Sequence, residues 1–256
     1  MDHPPTVKES SRPEIATLVD RLAASGRVAG FEVEAFGQVE GIPLLALTKF
    51  GADGAPHLYL SAGIHGDEPA PPRALLQLLD GGFFAADCHW HVCPLLNPAG
   101  MDRGTRENPG GLDLNRDYRE PRSSEIRAHV GWLRRQPAFD LTLCLHEDWE
   151  ATGFYLYELN PGHRRSLAEA IVAAVRDVCP IDPAAVIDGR PASGGIIRPD
   201  VDPARRELWP EAIYLRVHHT RLGYTLETPS AFPMAQRVSG QVAAVSAARR
   251  QFLLRR

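Results

Sequence analysis

Lysine is almost missing from this chain of 256 residues: it occurs at Lys8 and Lys49, and nearly all of the 28 basic residues are arginine. The 32 acidic residues outnumber them, so the formal net charge of −4 gives no support to a nucleic-acid partner. An arginine side chain binds a carboxylate through two parallel hydrogen bonds, which lysine cannot do. The chain is therefore rich in potential carboxylate binders.

Cysteine and long apolar runs are also scarce. Four cysteines in a chain of this length do not make a disulfide framework. No apolar run approaches the roughly 20 residues that cross a bilayer, which argues against a membrane partner. The opening residues, MDHPPTVKES, lack a charged segment followed by an apolar one, as a secretion signal would have. We therefore expect a cytoplasmic protein, and the sequence carries no signal for its oligomeric state.

Apolar residues make up 44% of the chain, enough for the core of one domain that we expect to span residues 1–256. The predicted strands are 31–37, 42–50, 56–64, 88–96, 139–146, 153–159 and 222–230, and the predicted helices are 12–25 (with Ser11 as N-cap), 71–80, 123–136, 164–179 and 234–256. Residues 180–212 lack a regular pattern. Alternating strands and helices favour an α/β fold with a mainly parallel sheet covered on both faces.

Polar residues stand at the ends of four predicted strands: His65, Asn97, His146 and Glu227. In such sheets the reactive groups gather beyond the carboxyl ends of the strands. His65 and Glu68 lie three positions apart, and could supply two of the three protein ligands of a catalytic zinc ion. A polar turn with Glu68 near a helix N-terminus explains the same residues. His146 could be the third ligand, or a hydrogen-bonded histidine at a strand end.

The segment 97–118, NPAGMDRGTRENPGGLDLNRDY, is the most polar part of the chain. Three arginines and three asparagines are more than a connecting loop needs, and together they suit the recognition of a carboxylate by fork-shaped hydrogen bonding. These residues are Arg103, Arg106, Arg116, Asn97, Asn108 and Asn115.

The motifs follow in the order HxxE at 65–68, NPxG at 97–100, TRxN at 105–108 and GxDxNR at 111–116, then a strand ending in His146 and a strand carrying Glu227. This series closely resembles the zinc carboxypeptidase family, the funnelins, over roughly residues 56–232. It is most similar to a small bacterial branch that includes murein-peptide amidases acting on γ-D-glutamyl-diaminopimelate bonds. The resemblance implies a single-domain α/β/α sandwich with a mixed, mainly parallel sheet.

The resemblance also implies a role for each matching residue. His65, Glu68 and His146 would bind one zinc ion per chain, and Glu227 would be the general base. Zinc lowers the pKa of bound water to about 7, within reach of a carboxylate base. Arg106 would polarise the scissile carbonyl and stabilise the oxyanion.

Two further motif residues, Asn115 and Arg116, match the pair that holds the terminal carboxylate of the substrate. Asp113 matches the carboxylate that orients the first zinc histidine through its second ring nitrogen. The alternatives are structural: Glu227 as an exposed charge at a strand end, and Arg116 as a partner in a surface ion pair.

The sequence departs from the family at the mobile tyrosine that closes over the substrate. The segment 189–200, GRPASGGIIRPD, resembles the surroundings of that tyrosine, and Arg190 falls on its position. Tyr214 is a candidate replacement, unless the role is dispensed with. The same match puts Ile197 and Arg198 near the pocket for the terminal side chain. Arg198 would favour a substrate with an additional carboxylate, such as diaminopimelate, aspartate or glutamate.

The segment 88–93, CHWHVC, has the composition of a metal cluster but the pattern of a strand. Side chains alternate along a strand, so His89, His91 and Cys93 would share one face. A metal would need space that neighbouring strands normally fill. We therefore expect a buried strand with hydrogen-bonded histidines.

Taken together, the motifs predict a zinc-dependent metallocarboxypeptidase that hydrolyses an amide bond adjacent to a free carboxylate in a peptide or murein-type peptide. The nearest alternative is an N-acyl-amino-acid deacylase similar to aspartoacylases and succinylglutamate desuccinylases, which share the zinc site. Those proteins usually carry a β-rich segment after the catalytic glutamate, whereas here a single helix is expected after Glu227. A catalytically silent carboxylate-binding module would require the loss of a ligand or of the base, and neither is missing.

Overall fold

The computed structural model describes residues 12–199, 202 and 205–254, so the predicted N-cap Ser11 lies outside it. The helices are α1 (Arg12–Val28), α2 (Ala70–Asp80), α3 (Pro98–Arg103), α4 (Ser124–Leu133), α5 (Ala168–Val175), α6 (Glu211–His218) and α7 (Met234–Leu253). The strands are β1 (Glu32–Val39), β2 (Ile42–Lys49), β3 (His57–Ala62), β4 (His89–Cys93), β5 (Leu141–Asp148), β6 (Tyr155–Leu159), β7 (Val186–Ile187), β8 (Arg190–Pro191), β9 (Ile196–Ile197) and β10 (Gly223–Pro229). Among these helices, none is both long enough and apolar enough to span a membrane.

Eight strands form one mixed sheet in the order β1-β2-β4-β3-β5-β10-β6-β9, and β7 pairs separately with β8. The central strands β4, β3, β5 and β10 run parallel to their neighbours in this group. Antiparallel pairs flank them, with β1 and β2 on one side and β6 on the other. The predicted fold class, a single-domain α/β fold with a mixed and mainly parallel sheet, is confirmed.

Helices cover both faces of the sheet because the buried strands are apolar on both. On β5, Leu141, Leu143 and Leu145 belong to the larger core, which also contains the apolar sides of α1, α2, α5 and α7. The alternate residue Cys144 belongs to a second core under α4 and α6. Burying a leucine side chain typically contributes about 1.5–3 kcal/mol, so these two cores hold the central strands in place. His146 points to the α4/α6 side, because it alternates with the leucines.

The structure differs from the sequence prediction at the start of α5 and in two helices, α3 and α6, that the sequence analysis did not identify. α5 begins at Ala168 rather than at residue 164, because Asn160 holds the preceding chain: its side chain accepts from Arg164 N at 2.9 Å and donates to Arg164 O at 2.6 Å. Of the two helices that were not predicted, α6 is the longer. It starts after Pro210, in extended conformation, with Glu211 in its first turn.

Three histidines meet at the amino ends of β3 and β4. The ring of His57 stacks on that of His89 with 4.4 Å between centroids, and its Nδ1 lies 3.0 Å from Nε2 of the buried His91. Gly51 N donates to Nδ1 of His89 at 3.0 Å. Within the described chain these residues do not form a metal-ligand group. The segment 88–93 is a buried strand with hydrogen-bonded histidines, as predicted.

We expect acid to destabilise the fold through two buried histidines. Burial, and then the neighbouring His57, lowers the pKa of His91 to about 4. Burial, and then His219, lowers the pKa of His129 to about 3. Below about pH 6.5 these two rings bind protons in the unfolded chain but stay neutral in the folded chain. The free energy of unfolding should therefore fall as the pH is lowered towards about 4, by up to about 3 kcal/mol for His91. Above that range both rings are neutral in both states, and the effect is absent.

Urea unfolding from about pH 7.5 down to about pH 4 measures this effect. The His91→Asn variant should lose part of the pH dependence, because it removes one of the two rings. His163→Asn, on an exposed loop, should keep all of it. A free energy of unfolding that stays constant over the interval in the wild type would contradict the assignment.

Candidate metal centre and substrate cavity

The sheet register places the predicted residues at one edge. β3, β5 and β10 are parallel, so their carboxyl ends lie together. Glu227 on β10 is the direct Cα partner of His146 on β5. His65 follows the end of β3, and Glu68 lies two residues before the start of α2. The structure therefore brings these four residues to the same end of the sheet.

His65, Glu68 and His146 form a compact buried group, each at most 3% exposed. The carboxylate of Glu68 lies between the two rings, with Oε1 2.5 Å from Nδ1 of His65 and Oε2 3.0 Å from Nδ1 of His146. The ligand atoms of the three residues all lie within 4.8 Å of one another. In the part of the chain that the structure describes, this is the group of three histidine, cysteine or carboxylate side chains whose ligand atoms lie close enough together to hold a metal ion.

This donor set fits a zinc ion. Zinc binds imidazole nitrogen and carboxylate oxygen at about 2.0–2.2 Å, and two histidines with one carboxylate leave room for water or substrate. Nε2 of His65 faces Oδ1 of Asp113 at 3.4 Å, the arrangement that orients a metal-binding imidazole. Whether these residues bind zinc stays a prediction, and the geometry is compatible with it.

Electrostatic attraction between Glu68 and the two histidines determines the protonation states of these side chains. Burial alone would lower the pKa of His65, but the carboxylate of Glu68, together with Asp113, raises it to about 9. Burial alone would raise the pKa of Glu68, but the two histidines lower it to about 2. Glu68 is therefore an anion at neutral pH, as a carboxylate that binds a metal must be.

Asp113 connects the metal-ligand group to the neighbouring arginine and asparagine. Its Oδ1 faces His65 and also accepts from Asn115 N at 2.8 Å. Its Oδ2 accepts from Nε of Arg106 at 3.2 Å, and Nη1 of Arg106 lies 3.7 Å from Oε1 of Glu68. The guanidinium is thus fixed beside the metal-ligand group, with further N–H donors available to an oxyanion.

Asn115 and Arg116 lie in a short 3₁₀ turn, Leu114–Arg116, capped by Asp113. Oδ1 of Asn115 accepts from Glu211 N at 2.9 Å, and Nη1 of Arg116 donates to the carbonyl of Asn115 at 2.8 Å. Both side chains line the same cavity as the metal-ligand group. Their remaining N–H groups suit a carboxylate, because planar donors can bind both of its oxygens.

Glu227 is 9% exposed and shares this cavity. Burial raises its pKa; His146 opposes this and Glu68 adds to it, and the result lies well above the usual range for a carboxyl group. On the other side of β10, the antiparallel strand β6 places Tyr155 opposite Glu227. A carboxyl group with a raised pKa can both accept and return a proton near neutral pH.

The cavity has a volume of about 840 Å³, within the range of about 300–1,000 Å³ typical of small-molecule sites. Two tyrosines of β6 line its wall, and both hydroxyls are held by carboxylates. Tyr155 donates to Oδ2 of Asp148 at 2.8 Å, and Tyr157 donates to Oδ2 of Asp188 at 2.5 Å. The sequence analysis identified neither tyrosine, although the alternation on β6 places both on the face of Glu227.

Arg190 and Arg206 also line the cavity, close to Arg116. Burial lowers the pKa of Arg206, and the positive charges of Arg190 and Arg116 lower it further. Asp188 offsets part of this charge, with Oδ2 4.0 Å from Nε of Arg190. Sequence reasoning marked Arg190 only as the residue at the tyrosine position, and it missed Arg206 because residues 180–212 show no periodicity.

Two expected residues do not reach the cavity wall. Tyr157 faces the cavity, so the next residue, Glu158, points to the opposite face of β6. Arg198 is on that opposite side, where its Nε bonds Oε2 of Glu158 at 2.7 Å and its Nη2 bonds Oε1 of Glu169 at 2.6 Å. Tyr214 is 5% exposed within the α4/α6 core. The structure therefore corrects both expectations: Arg198 is occupied by two carboxylates, and Tyr214 is a packing residue.

The loop after β3 packs directly against α3, and a glycine makes this possible. Gly66 N donates to the carbonyl of Arg106 at 3.4 Å, and a Cβ at this position would lie 2.1 Å from the carbonyl carbon of Gly100. Asn97 fixes the same region, because it accepts from Gly100 N at 2.9 Å and donates to the carbonyl of Arg106 at 3.3 Å. The close approach holds the metal-ligand loop against the segment that carries Arg106.

Helices α2 and α7 support His146 from behind. The next residue, Glu147, accepts from Ala70 N at the start of α2 at 2.8 Å and pairs with Nη1 of Arg237 on α7 at 2.7 Å. The buried Gln241, also on α7, donates to the carbonyl of His146 at 2.7 Å. The end of β5 is therefore anchored to both helices.

The eight-stranded sheet and the buried His–Glu–His group at its edge define the class of the protein: a zinc carboxypeptidase-like α/β fold. Residues 54–194, more than half of the chain, match the model of the succinylglutamate desuccinylase/aspartoacylase catalytic domain. The chain therefore belongs to this family.

Comparisons with individual proteins agree. A protein from Shewanella amazonensis, provisionally named a metallopeptidase, is 27% identical with a TM-score of 0.82, over 95% of this chain and 97% of that chain. A metallo-carboxypeptidase from Pseudomonas aeruginosa in complex with (2-guanidinoethylmercapto)succinic acid shares the fold at 20% identity and a TM-score of 0.68, over 96% of this chain and 70% of that chain. Carboxypeptidase SOL1 from Arabidopsis thaliana is 28% identical over 38% of this chain, and the match spans only 25% of that protein. The predicted resemblance to zinc carboxypeptidases is confirmed.

We expect Gly66→Ala to weaken both the fold and the metal-ligand group. The added methyl group collides with the backbone of α3, which costs at least about 2 kcal/mol of unfolding free energy and displaces the loop. The matched control is Gly131→Ala: Gly131 is an exposed residue of α4 with open space at its Cβ, so alanine there should be neutral or stabilising. Denaturant unfolding and zinc titration measure the two effects, and equal stability of the two variants would contradict the close approach.

Proposed function

We propose that this protein is a zinc-dependent hydrolase of the carboxypeptidase type, which cleaves an amide bond next to a free carboxylate in a peptide or murein-type peptide. One observation carries the proposal: a single cavity contains the metal-ligand candidates, a buried carboxyl group beside them and a set of arginine and asparagine donors. Family membership supports hydrolysis of a peptidase or acylase type.

In this proposal the free carboxylate of the substrate binds Asn115 and Arg116. Both residues line the cavity, and their planar N–H donors suit both carboxylate oxygens. The dicarboxylate bound by the Pseudomonas aeruginosa relative is consistent with a carboxylate-bearing substrate. Binding at this point directs the scissile amide towards Arg106 and Glu227, which share the cavity.

The chain's own residues then move the proton and stabilise the charge. His65, Glu68 and His146 would hold a zinc ion, which would supply a Lewis acid for the carbonyl oxygen and would lower the pKa of bound water. Glu227 accepts a proton from the attacking water and delivers it to the leaving amine nitrogen. Arg106 donates to the carbonyl oxygen as negative charge develops there, and the loss of such a donor typically raises the barrier by about 2.7–4 kcal/mol.

The second candidate is an N-acyl-amino-acid deacylase, and the family match favours it. The chemistry would be the same, because the carboxylate of the amino acid product would occupy the same donors. A panel of zinc-loaded reactions separates the two: γ-D-glutamyl-diaminopimelate peptides, ordinary C-terminal dipeptides and N-acyl amino acids. A catalytically silent binding module predicts no turnover on any of them.

We expect Glu227→Gln to retain zinc and lose hydrolysis. Glutamine keeps the shape of the side chain but cannot accept the proton, so kcat should fall by roughly 10²–10⁴-fold. The control is Glu169→Gln, an exposed carboxylate outside the cavity, which should leave kcat unchanged. Metal analysis and kinetics are measured on the same preparations. Hydrolysis that survives the Glu227→Gln change would refute the proposed base.

We further propose that the substrate carries a second anionic group, which binds Arg190 and Arg206. These guanidiniums face the same cavity as Arg116, and their mutual repulsion favours an anion between them. The hypothesis of an additional carboxylate on the substrate, first attached to Arg198, thereby moves to these two residues. It applies equally to a diaminopimelate peptide and to an acylated acidic amino acid.

Preference for an acidic substrate tests this assignment. Removing a charge-assisted hydrogen bond costs about 1.5–3 kcal/mol, so Arg190→Ala and Arg206→Ala should each lower kcat/KM for N-acetyl-L-aspartate by roughly 10–100-fold relative to N-acetyl-L-alanine. Arg198→Ala is the matched control from the same region and should preserve the ratio, since its guanidinium binds Glu158 and Glu169. A ratio that changes only in Arg198→Ala would return the role to that residue.

A further inference from the structure

A chain of buried polar side chains runs through the α4/α6 face of the sheet. Glu211, the first residue of α6, is 1% exposed, and its carboxylate accepts from the hydroxyls of Tyr59 at 2.6 Å and Ser61 at 2.9 Å. The oxygen of Tyr59 lies 2.9 Å from Nε2 of His129, and Nδ1 of His129 lies 2.8 Å from the hydroxyl of Tyr118. None of these five residues lines the substrate cavity.

The hydrogen bonds in this chain have one direction when Glu211 is ionised. A carboxylate only accepts, so both hydroxyls donate to it. The oxygen of Tyr59 then accepts from Nε2–H of His129, a ring that burial keeps neutral by lowering its pKa to about 3. Nδ1 of His129 is left to accept from Tyr118. Every polar atom of the chain has a partner, and the chain ends on Glu211.

The backbone of Glu211 holds a residue of the substrate cavity, Asn115. Its backbone N–H donates to Oδ1 of Asn115 at 2.9 Å. A backbone N–H can only donate, so the atom of Asn115 that faces it must be the amide oxygen. The amide NH₂ group of Asn115 is therefore turned away from α6, and the residue lines the cavity. Asp113 fixes the backbone of the same residue through Asn115 N.

A buried carboxylate is an expensive way to begin a helix. Burying a charge without a cationic partner opposes folding, and an apolar residue of similar size would pack against β3 without that cost. The energy is recovered only if the two hydroxyls hold the carboxylate in one place. Core packing does not require Glu211 to be held in one fixed position. A binding residue such as Asn115 does require a fixed support.

We propose that Glu211 is a positioning residue for the free carboxylate of the substrate. Its side chain, held by Tyr59 and Ser61, fixes the start of α6, and the first N–H of α6 holds Asn115 with its NH₂ group available to the substrate. The inference rests on the proposed function, in which Asn115 binds that carboxylate. Glu211 itself touches neither the substrate nor the metal-ligand group.

Two substitutions at Glu211 distinguish positioning from charge. Glu211→Gln keeps the size and can donate to Tyr59, which then donates to His129, so the chain reverses and Asn115 keeps its orientation; KM should stay within about threefold of the wild type. Glu211→Leu removes both acceptors, so KM should rise at least about tenfold while kcat stays within about threefold and the zinc content is unchanged. A purely structural residue would instead lower the melting temperature and leave KM and kcat of the folded fraction unchanged.

Further variants cover the case in which Glu211→Leu does not fold. Tyr59→Phe removes one donor to the carboxylate and should raise KM by a smaller factor, about three- to tenfold, with kcat preserved. Tyr118→Phe breaks the far end of the chain without touching Glu211, so it should lower the melting temperature and leave KM unchanged. Equal values of KM in the wild type, Glu211→Leu and Tyr59→Phe would overturn the proposal.

A binding measurement separates this proposal from the proposed function. In zinc-loaded Glu227→Gln protein, where hydrolysis does not interfere, calorimetry gives the Kd of N-acetyl-L-aspartate with and without Glu211→Leu. A Kd at least about tenfold weaker with the second change supports the role of Glu211, even if wild-type protein hydrolyses nothing in the panel. Equal Kd values overturn it while the proposed function stands. If neither protein binds any member of the substrate panel, both proposals are overturned.

Discussion

The parallel pairing of β5 with β10 is the constraint on which the rest of the site depends. It sets Glu227 on β10 directly opposite His146 on β5. The leucines that alternate with His146 along β5 are buried in the larger core, which fixes the face that these two side chains occupy. A shift of one residue in β10 would turn Glu227 to the opposite face of the sheet, and the same shift in β5 would turn His146 away. Glu147 and Gln241, through their bonds to α2 and α7, hold the end of β5 where this pairing is needed.

Several buried carboxyl groups lie near His146 and Glu227. These groups and Glu227 itself have different partners, which suit them to different roles. Glu68 faces two histidines, which keep it ionised and suit it to a metal. Glu147 has the guanidinium of Arg237, and Glu211 has two hydroxyls. Glu227 has the fewest compensating contacts, and burial raises its pKa accordingly. The carboxyl group that is least stabilised as an anion is thus the one proposed to transfer the proton, and the other three hold neighbouring groups in place.

Local patterns and ordered motifs predicted most of the fold and the centre of the site. His65, His146 and Glu227 were identifiable because each stands at the end of an apolar strand, and parallel strands bring such ends together. Arg198 was assigned to the wrong side, because β9 is only two residues long and shows no alternation from which its facing could be inferred. Arg206 reaches the cavity through the folding of an unpatterned region, which only long-range contacts determine.

Metal dependence is the most direct test of the central claim, that a buried His–Glu–His group makes this protein a zinc hydrolase. The measurement is the zinc content per chain together with hydrolysis of the substrate panel, before chelation, after chelation and after zinc is returned. The account predicts one zinc ion per chain, loss of hydrolysis with the metal and recovery with zinc. Hydrolysis that persists in metal-free protein, or wild-type protein that binds no zinc after reconstitution, would contradict it.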